Sequence, residues 1–289
     1  MTSSNTLKVV ALMAALTALL GLIGYWVGGT GGVIFALGFS IFMNFGAYWF
    51  SDSIAIRMTG AQPVDPTQAP GLYDLVARLA MQAGIPTPRV YVIDSPLPNA
   101  FATGRDPAHG AVAVTTGILQ TLSQEELAGV LAHELAHIRR RDTLIATVVA
   151  TIAGAITTLA NLLQWTLLFG GLGGGDDDGG GLVGGLLLIF VAPILAVLIQ
   201  LGISRAREFD ADAEGAHISG NPLALASALA KIDTMARRSR RPLAANPAMA
   251  SLFIVNPLSG VSGGLAGLFS THPPVEARIE RLQAMAAGV

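Results

Sequence analysis

The chain has 289 residues, of which 52% are hydrophobic and only 12% charged, and its mean hydropathy of +0.58 lies outside the range of ordinary soluble domains. This composition predicts a protein that lives in a lipid bilayer. The chain contains no cysteine, which excludes a disulfide framework and leaves His, Asp and Glu as metal ligands, and with a formal net charge of -2 it is not expected to bind nucleic acid.

Apolar runs of about twenty residues, the length that a helix needs to cross a hydrocarbon core, recur along the chain. The four runs cover 7–27, 32–50, 144–169 and 182–203. The first two are separated only by the glycine-rich residues 28–31, so they predict a membrane hairpin. A signal peptide is the alternative for the first run, but no clear cleavage site separates it from the second.

The basic residues predict how these spans are oriented. All 17 Lys and Arg lie outside the 28–31 turn and the 170–181 loop, so the positive-inside rule places both termini and both polar segments in the cytoplasm. The 170–181 loop carries three consecutive aspartates among glycines. That pattern is typical of a flexible solvated connector, with a calcium site as the alternative.

The first polar segment predicts a small α+β unit. A Pro-rich linker at 62–66 is followed by apolar residues at helical spacing up to Gly84. Residues 89–93 and 111–114 are typical of short strands, with 99–104 between them. A substrate peptide can add to such a sheet as a further strand, and a sheet that only closes the core is the alternative.

Residues 131–137 hold the strongest chemical signal, because they read H-E-x-x-H within a helical pattern that starts at a capping box over 123–126. Residues four apart share one face of a helix, so His133 and His137 can bind one metal ion while Glu134 lies beside them as a base. Zinc acidifies a bound water that such a base can direct at a carbonyl, which predicts peptide hydrolysis. Two core histidines are the alternative, but a simple core does not need the glutamate.

Three arginines, Arg139, Arg140 and Arg141, follow the second histidine and precede the third apolar run. We expect them near the headgroup surface, where they either contact anionic lipid or only fix the topology.

The helical stretch after the fourth apolar run supplies the third metal ligand. Glu208 is the best candidate, and Asp212 lies one turn further on the same face, where it can orient a ligand histidine. Two membrane crossings separate His137 from Glu208, which returns the chain to the same side. A charged helix face at the membrane exit is the alternative, and Asp212 is the next candidate ligand.

The rest of the chain predicts a helix over 222–241, a mobile segment over 242–271 and a terminal helix over 275–285. His272 precedes two prolines whose rigid backbone can fix an imidazole. A histidine that only caps the terminal helix is the alternative.

Together these motifs resemble the HtpX family of bacterial membrane zinc metalloproteases. They are HELAH with RRRDTL after it, SRAREFDAD, PNAFATGR and FSTHPPVEARIERL, and the resemblance covers essentially the whole chain. The family is related to the CaaX prenyl protease and has the gluzincin plan of two histidines and a distal glutamate. The 170–181 loop matches no motif of the family.

The resemblance implies one zinc ion per chain and proteolytic quality control of inner-membrane proteins by a site that faces the cytoplasm. It also implies that Asn99 and His272 hold the substrate or the oxyanion, and it places Arg278 in the matching terminal motif.

The sequence therefore predicts a mainly α membrane protein with four transmembrane helices and a cytoplasmic α+β zinc protease domain of the gluzincin type. Its parts are a membrane hairpin (1–51), a protease segment (52–143), a second hairpin (144–203) and a segment that completes the zinc site (204–289). Expected partners are protein substrates, notably membrane proteins, and the bilayer. A catalytically silent scaffold is the alternative function, and transport is disfavoured because the spans hold no ionisable residue at depth.

Overall fold

The computed structural model describes residues 2–148, 205–238, 252–255 and 273–288. Its helices are α1 (Thr2–Met58), α2 (Pro70–Ala83), α3 (Thr116–Thr121), α4 (Gln124–Arg140), α5 (Arg205–Ser219), α6 (Pro222–Arg238) and α7 (Val275–Ala286). Its strands are β1 (Gln62–Pro63), β2 (Arg89–Ile93), β3 (Ala100–Thr103) and β4 (Ala111–Thr115), with a 3-10 turn at Pro107–His109. Most of the third apolar run, all of the fourth, the 170–181 loop and His272 lie outside the described residues.

Helix α1 consists of two arms joined at a non-helical pair, Gly28 and Gly29, and Gly29 has a φ of 55° that favours glycine. The arms contact each other, since the Asn44 side-chain amide donates to Thr17 Oγ1 at 2.9 Å. Among the described residues one helix, Gly28–Phe50, is long and apolar enough to cross a membrane, with 23 residues and a mean hydropathy of 1.6. Large apolar side chains along it are exposed, as at Phe42.

The four strands form one sheet in the order β1-β2-β4-β3. β2 and β4 are parallel, whereas β1 pairs with β2 and β3 pairs with β4 in antiparallel fashion. The predicted strands at 89–93 and 111–114 are confirmed. The order places β3 at an edge of the sheet, where its outer peptide groups can pair with another segment.

Helix α4 begins at the capping box that the sequence predicts. Ser123 Oγ accepts from the Glu126 backbone N–H at 3.2 Å, and the Glu126 carboxylate accepts from the Ser123 N–H at 2.8 Å. The helix ends at Arg141, whose φ of 60° is left-handed. Nearly every side chain from Val130 to Ile138 is buried, so α4 lies at the centre of the core, against α2, α5, α6 and β3.

A close approach of backbones brings α5 against the middle of α4. A Cβ added to Gly215 would lie 2.7 Å from the backbone nitrogen of His133, so only glycine fits there without a shift. Because α5 also carries Glu208 and Asp212, this contact sets the distance of both carboxylates from the histidines of α4.

The segment Leu252–Val255 was predicted to be mobile, and that prediction is wrong for these four residues, which are all buried. The Ile254 N–H donates to the Ala100 carbonyl at 3.0 Å, so the segment lies along the outer edge of β3. The Phe253 ring packs on the Phe101 ring with centroids 5.2 Å apart. Four consecutive apolar side chains thus bury themselves where composition alone indicated a loop.

Candidate metal centre

Three side chains, His133 and His137 from α4 and Glu208 from α5, converge on one point. Their ligand atoms all lie within 4.8 Å of one another. His137 Nε2 is 3.5 Å from Glu208 Oε1, and His133 Nε2 is 3.8 Å from Glu208 Oε2. The structure therefore brings together the three ligands that the sequence predicts.

The donor set and its spacing fit a metal ion. Two imidazoles and one carboxylate are ligands that zinc takes in catalytic sites, and tetrahedral ligands about 2.1 Å from a zinc ion lie about 3.4 Å from each other. The measured separations of 3.5 and 3.8 Å are close to that value. The Glu208 side chain is only 6% exposed, so a carboxylate is buried beside two imidazoles, as a cation site requires.

A carboxylate on the far side of His133 fixes how that ring is presented. His133 Nδ1 donates to Asp212 Oδ1 at 2.9 Å, which leaves Nε2 facing Glu208. Burial alone would raise the pKa of Asp212, but the adjacent Arg278 guanidinium and the bond from His133 outweigh it and hold that pKa at about 2. The carboxylate is therefore ionised and can orient the histidine, as the sequence predicts.

Arg278 is fully buried and binds that carboxylate with both arms of its guanidinium. Nε donates to Asp212 Oδ2 at 2.8 Å and Nη2 to Asp212 Oδ1 at 2.7 Å, while Nη1 donates to the Ile254 carbonyl at 2.9 Å. Helix α7 and the Leu252–Val255 segment are thereby tied to the metal centre. From sequence, Arg278 was placed only in a terminal motif, and its contact with Asp212 was not predicted.

Glu134 lies next to the ligands and is 3% exposed. Burial, reinforced by the charge of Glu208, raises its pKa to about 7 against the opposing effect of His137. The backbone N–H of Ala102 in β3 also opposes this rise in pKa. A carboxylate with a pKa near the working pH can take a proton and give it back, which suits a general base.

The surroundings of the two histidines shift their pKa values in opposite directions. Burial, with Arg278 and His137 nearby, lowers the pKa of His133 to about 4, so this imidazole is neutral at pH 7 and free to act as a ligand. Burial also opposes the charged form of His137, but Glu208, Asp142 and Glu134 outweigh it and raise the pKa of His137 to about 9. The surroundings of His137 thus stabilise positive charge, either a proton or a metal ion.

Asn99 lies immediately before β3 and is 2% exposed. Its side-chain Nδ2 donates to the Val255 carbonyl at 2.8 Å, and its Oδ1 accepts from the Ala100 N–H at 3.0 Å. In this geometry the amide holds the Leu252–Val255 segment beside the strand. His272, the other residue given a catalytic role from sequence, lies outside the described residues.

Arg139 and Arg140, which follow the second histidine, pair with acidic side chains of α5. Arg139 pairs with Glu214 at 2.9 Å and Arg140 with Asp210 at 2.7 Å, both on α5. These ion pairs join the two helices that carry the candidate ligands, a role that the sequence did not indicate. Arg141 ends α4 and is exposed.

Comparison with known proteins decides the family. The model of peptidase family M48 matches residues 66–286. The chain belongs to peptidase family M48. The protein is therefore a metalloprotease, and the predicted resemblance and the predicted hydrolase activity on peptide bonds are confirmed.

Relatives that match nearly the whole chain support the same family. A protein named Protease HtpX homolog from Pelotomaculum thermopropionicum is 56% identical over 283 residues, which cover 98% of this chain and 99% of the relative. One with the same name from Pyrococcus furiosus is 55% identical over 276 residues, which cover 95% and 94% of the two chains. This M48 peptidase therefore matches HtpX proteases along nearly its whole length.

A solved structure also shares the fold. The crystal structure of S. mikatae Ste24p superposes with a TM-score of 0.50 at 19% sequence identity, covering 96% of this chain. The match spans 65% of that chain, a little under two thirds of its length. At this identity the likeness supports a common fold.

Proposed function

We propose that this M48 peptidase is a zinc-dependent membrane endopeptidase that hydrolyses misfolded or damaged membrane proteins in quality control. The observation that carries the proposal is the arrangement of His133, His137 and Glu208 within 4.8 Å, with Glu134 beside them and its pKa raised to about 7. A catalytically silent scaffold, the alternative from sequence, has no use for a buried base at such a place.

In this proposal His133, His137 and Glu208 hold one zinc ion per chain. When bound, zinc supplies Lewis-acid polarisation of a carbonyl and acidifies water. Glu134 takes a proton from the attacking water and later delivers it to the leaving amine. Asp212 keeps His133 in the tautomer whose Nε2 lone pair faces the metal position.

The edge of β3 supports an extended substrate at this site. One outward group of the strand, the Ala100 carbonyl, already accepts from the Ile254 N–H, and Ala102 lies two residues further along β3, where its backbone N–H affects the pKa of Glu134. A peptide that paired with Ala102 would lie against the base, held by its own backbone. Such pairing depends little on side chains, which suits varied misfolded substrates.

Asn99 and His272 remain proposals as residues that act on the substrate. The hydrogen bonds of Asn99 to Val255 and Ala100 support a role for Asn99 in holding the wall of the cleft. Direct contact with the substrate is the competing role. His272 lies six residues before Arg278, whose guanidinium is inside the centre, which supports its placement near the reacting carbonyl as an oxyanion donor.

We also propose that the protein is a multi-pass protein of the inner membrane, with the four predicted spans and a site that faces the cytoplasm. The apolar helix Gly28–Phe50 and the distribution of basic residues support this layout. The Arg105 guanidinium lies 5.0 Å from the centre of the Trp49 ring at the end of that helix. Such an arginine and tryptophan pair suits the boundary between bilayer and water.

Hydrolysis of casein by the purified full chain tests the proposed function. Glu134→Gln should lower the rate by about 10²–10⁴-fold, because the proton acceptor is lost while the metal ligands remain. Glu125→Gln, on the exposed first turn of the same helix, is the matched control and should keep wild-type activity. A Glu134→Gln protein as active as the wild type would contradict the assignment of the base.

A further inference from the structure

A second carboxylate faces the other ligand histidine. Asp142 Oδ2 lies 3.4 Å from His137 Nδ1, on the side of the ring opposite the Nε2 that faces Glu208. The Asp142 side chain is 7% exposed. The two nitrogens of the ring are thus shared between a group at the metal position and a group behind it.

The chain has to break its helix to bring this contact about. In a continued α4, a residue five positions after His137 would be rotated by about 140° from it around the helix axis, and would point elsewhere. Arg141 instead adopts a left-handed backbone with a φ of 60°, and a new helical stretch begins at Asp142. The turn returns the carboxylate towards the histidine.

Neighbouring contacts hold Asp142 in this place. Thr143 Oγ1 donates to the Gly104 carbonyl at 2.9 Å, which ties the next residue to the end of β3. One turn later the hydroxyls of Thr147 and Thr103 are 2.9 Å apart. All of these threonines are buried. The position of the carboxylate is therefore set by the sheet and by the start of the new helix together.

We propose that Asp142 is a positioning residue for the metal centre: it accepts the Nδ1 proton of His137 and so presents the Nε2 lone pair to the metal, as Asp212 does for His133. The inference rests on the proposed metal-dependent function. It adds a consequence for the fold, since Asp142 begins the helical stretch 142–148 that leads into the third apolar run. The segment that enters the predicted membrane span thereby contributes a group to the metal centre.

A purely structural role is the rival explanation. Asp142 Oδ2 is also 3.5 Å from Arg140 Nε, and a carboxylate in the first turn of a helix stabilises that helix by itself. Asp210 provides the matched control, because it pairs with the same Arg140 at 2.7 Å, whereas the carboxylates that face His133 and His137 in the described part of the chain are Glu208, Asp212 and Asp142. Loss of Asp210 removes an ion pair of Arg140 and leaves the support of His137 in place.

The experiment measures zinc affinity by competition with a chelator, on the full chain in detergent. The variants are Asp142→Ala, Asp142→Asn, Asp210→Asn and His137→Ala, and the melting temperature of each metal-free protein is recorded beside its affinity. Asp142→Ala should bind zinc about 10–100-fold more weakly than wild type, with a smaller loss in Asp142→Asn, whose amide oxygen can still accept from Nδ1. Asp210→Asn should keep close to the wild-type affinity, because the half-exposed Asp210 carboxylate pairs with Arg140.

A second readout separates positioning from stability. With cobalt in place of zinc, the visible absorption spectrum should change in Asp142→Ala and Asp142→Asn and stay that of the wild type in Asp210→Asn. If Asp142→Ala does not fold, Asp142→Asn carries the test. If the Asp142 variants kept the wild-type zinc affinity and cobalt spectrum while His137→Ala lost the metal, the inference about Asp142 would be overturned and the proposed function would stand. If His137→Ala also retained zinc, both would be overturned.

Discussion

At the scale of a single residue, Glu126 shows how one carboxylate can start a helix and also anchor it. It accepts from the Ser123 N–H at the beginning of α4, from Ser227 Oγ at 2.7 Å and from Lys231 Nζ at 2.8 Å, the last two on α6. Burial by itself would raise the pKa of Glu126, but these partners outweigh it and the pKa is lowered.

This lowered pKa predicts a dependence of stability on pH. A carboxyl whose folded pKa lies below its unfolded value of about 4.3 adds stability that is fully present above that unfolded value and lost as the pH falls through the folded pKa. Glu126→Gln should therefore lower the free energy of unfolding at pH 7 by about 1–3 kcal/mol, with a difference that narrows below about pH 4. Thermal unfolding of the metal-free chain at both pH values measures it. Glu280→Gln, at an exposed position of α7, is the control. If Glu126→Gln lost the same free energy of unfolding at both pH values, the charge of Glu126 would not be the cause of the loss.

The local arrangement of the candidate ligands could be predicted from sequence at this scale because it depends on local spacing. His133 and His137 lie four positions apart, and Asp212 lies four positions after Glu208, so helix geometry puts the members of each pair on one face, with Glu134 beside the histidines. Asp142 was not predicted as a group of the centre. Its contact with His137 requires a left-handed backbone at an arginine, where the sequence offers none of the glycine that usually marks such a turn.

At the scale of elements, the packing of α5 on α4 decides whether the ligands meet. Gly215 allows the two backbones to approach, and the added Cβ at 2.7 Å from His133 N would force them apart. Gly215 lies seven positions after Glu208 on the same helix. A shift of α5 therefore moves the carboxylate ligand relative to both histidines.

We predict that Gly215→Ala destabilises the protein and weakens zinc binding together. Alanine favours a helix over glycine by about 1 kcal/mol, so the clash has to exceed this gain. Overpacking of this kind typically costs about 1–3 kcal/mol. Gly71→Ala in α2, where an added Cβ meets no atom within 4 Å, is the matched control and should stabilise the chain slightly. Melting temperature and zinc affinity measure the two effects, and a Gly215→Ala protein as stable as the control variant would contradict the packing argument.

Other elements could not be predicted because long-range contacts form them. The strand Gln62–Pro63 falls in what composition indicated as a linker, and it exists because it pairs with Val92 and Tyr91 of β2. Leu252–Val255 is ordered by β3 and Arg278, which are distant in sequence. The helices with strong apolar periodicity and the two strands rich in valine depend on local pattern, and the structure has them where the sequence predicts them.

At the scale of the whole molecule, the protease unit is joined to α1 by specific contacts. The Arg89 guanidinium at the start of β2 pairs with Asp52 at 2.7 Å, where the Asp52 side chain is 10% exposed. Asp52 lies two residues after the apolar stretch Gly28–Phe50 and still within α1, so the pair fixes the sheet to the end of the predicted span. The orientation of α1 in the bilayer then determines on which side the metal centre lies.

The absence of native cysteine allows this orientation to be measured by labelling single introduced thiols. In intact cells, Thr30→Cys in the turn of the first hairpin should react with a thiol reagent that does not cross the membrane. Met81→Cys on α2, where the native side chain is 75% exposed, should react only after the cells are permeabilised. The reverse pattern would place the metal centre outside the cytoplasm.

We propose that α4 and α5, which are separated in sequence by the second pair of predicted spans, complete one metal site. Zinc content of the purified full chain, determined by elemental mass spectrometry in wild type, Glu134→Gln and Glu208→Gln, tests it most directly. The account predicts about one zinc ion per chain in wild type and in Glu134→Gln, since the base is not a ligand, and a value well below one in Glu208→Gln, which lacks the anionic third ligand. Full zinc content in Glu208→Gln, or its loss in Glu134→Gln, would contradict the assignment of ligands and base.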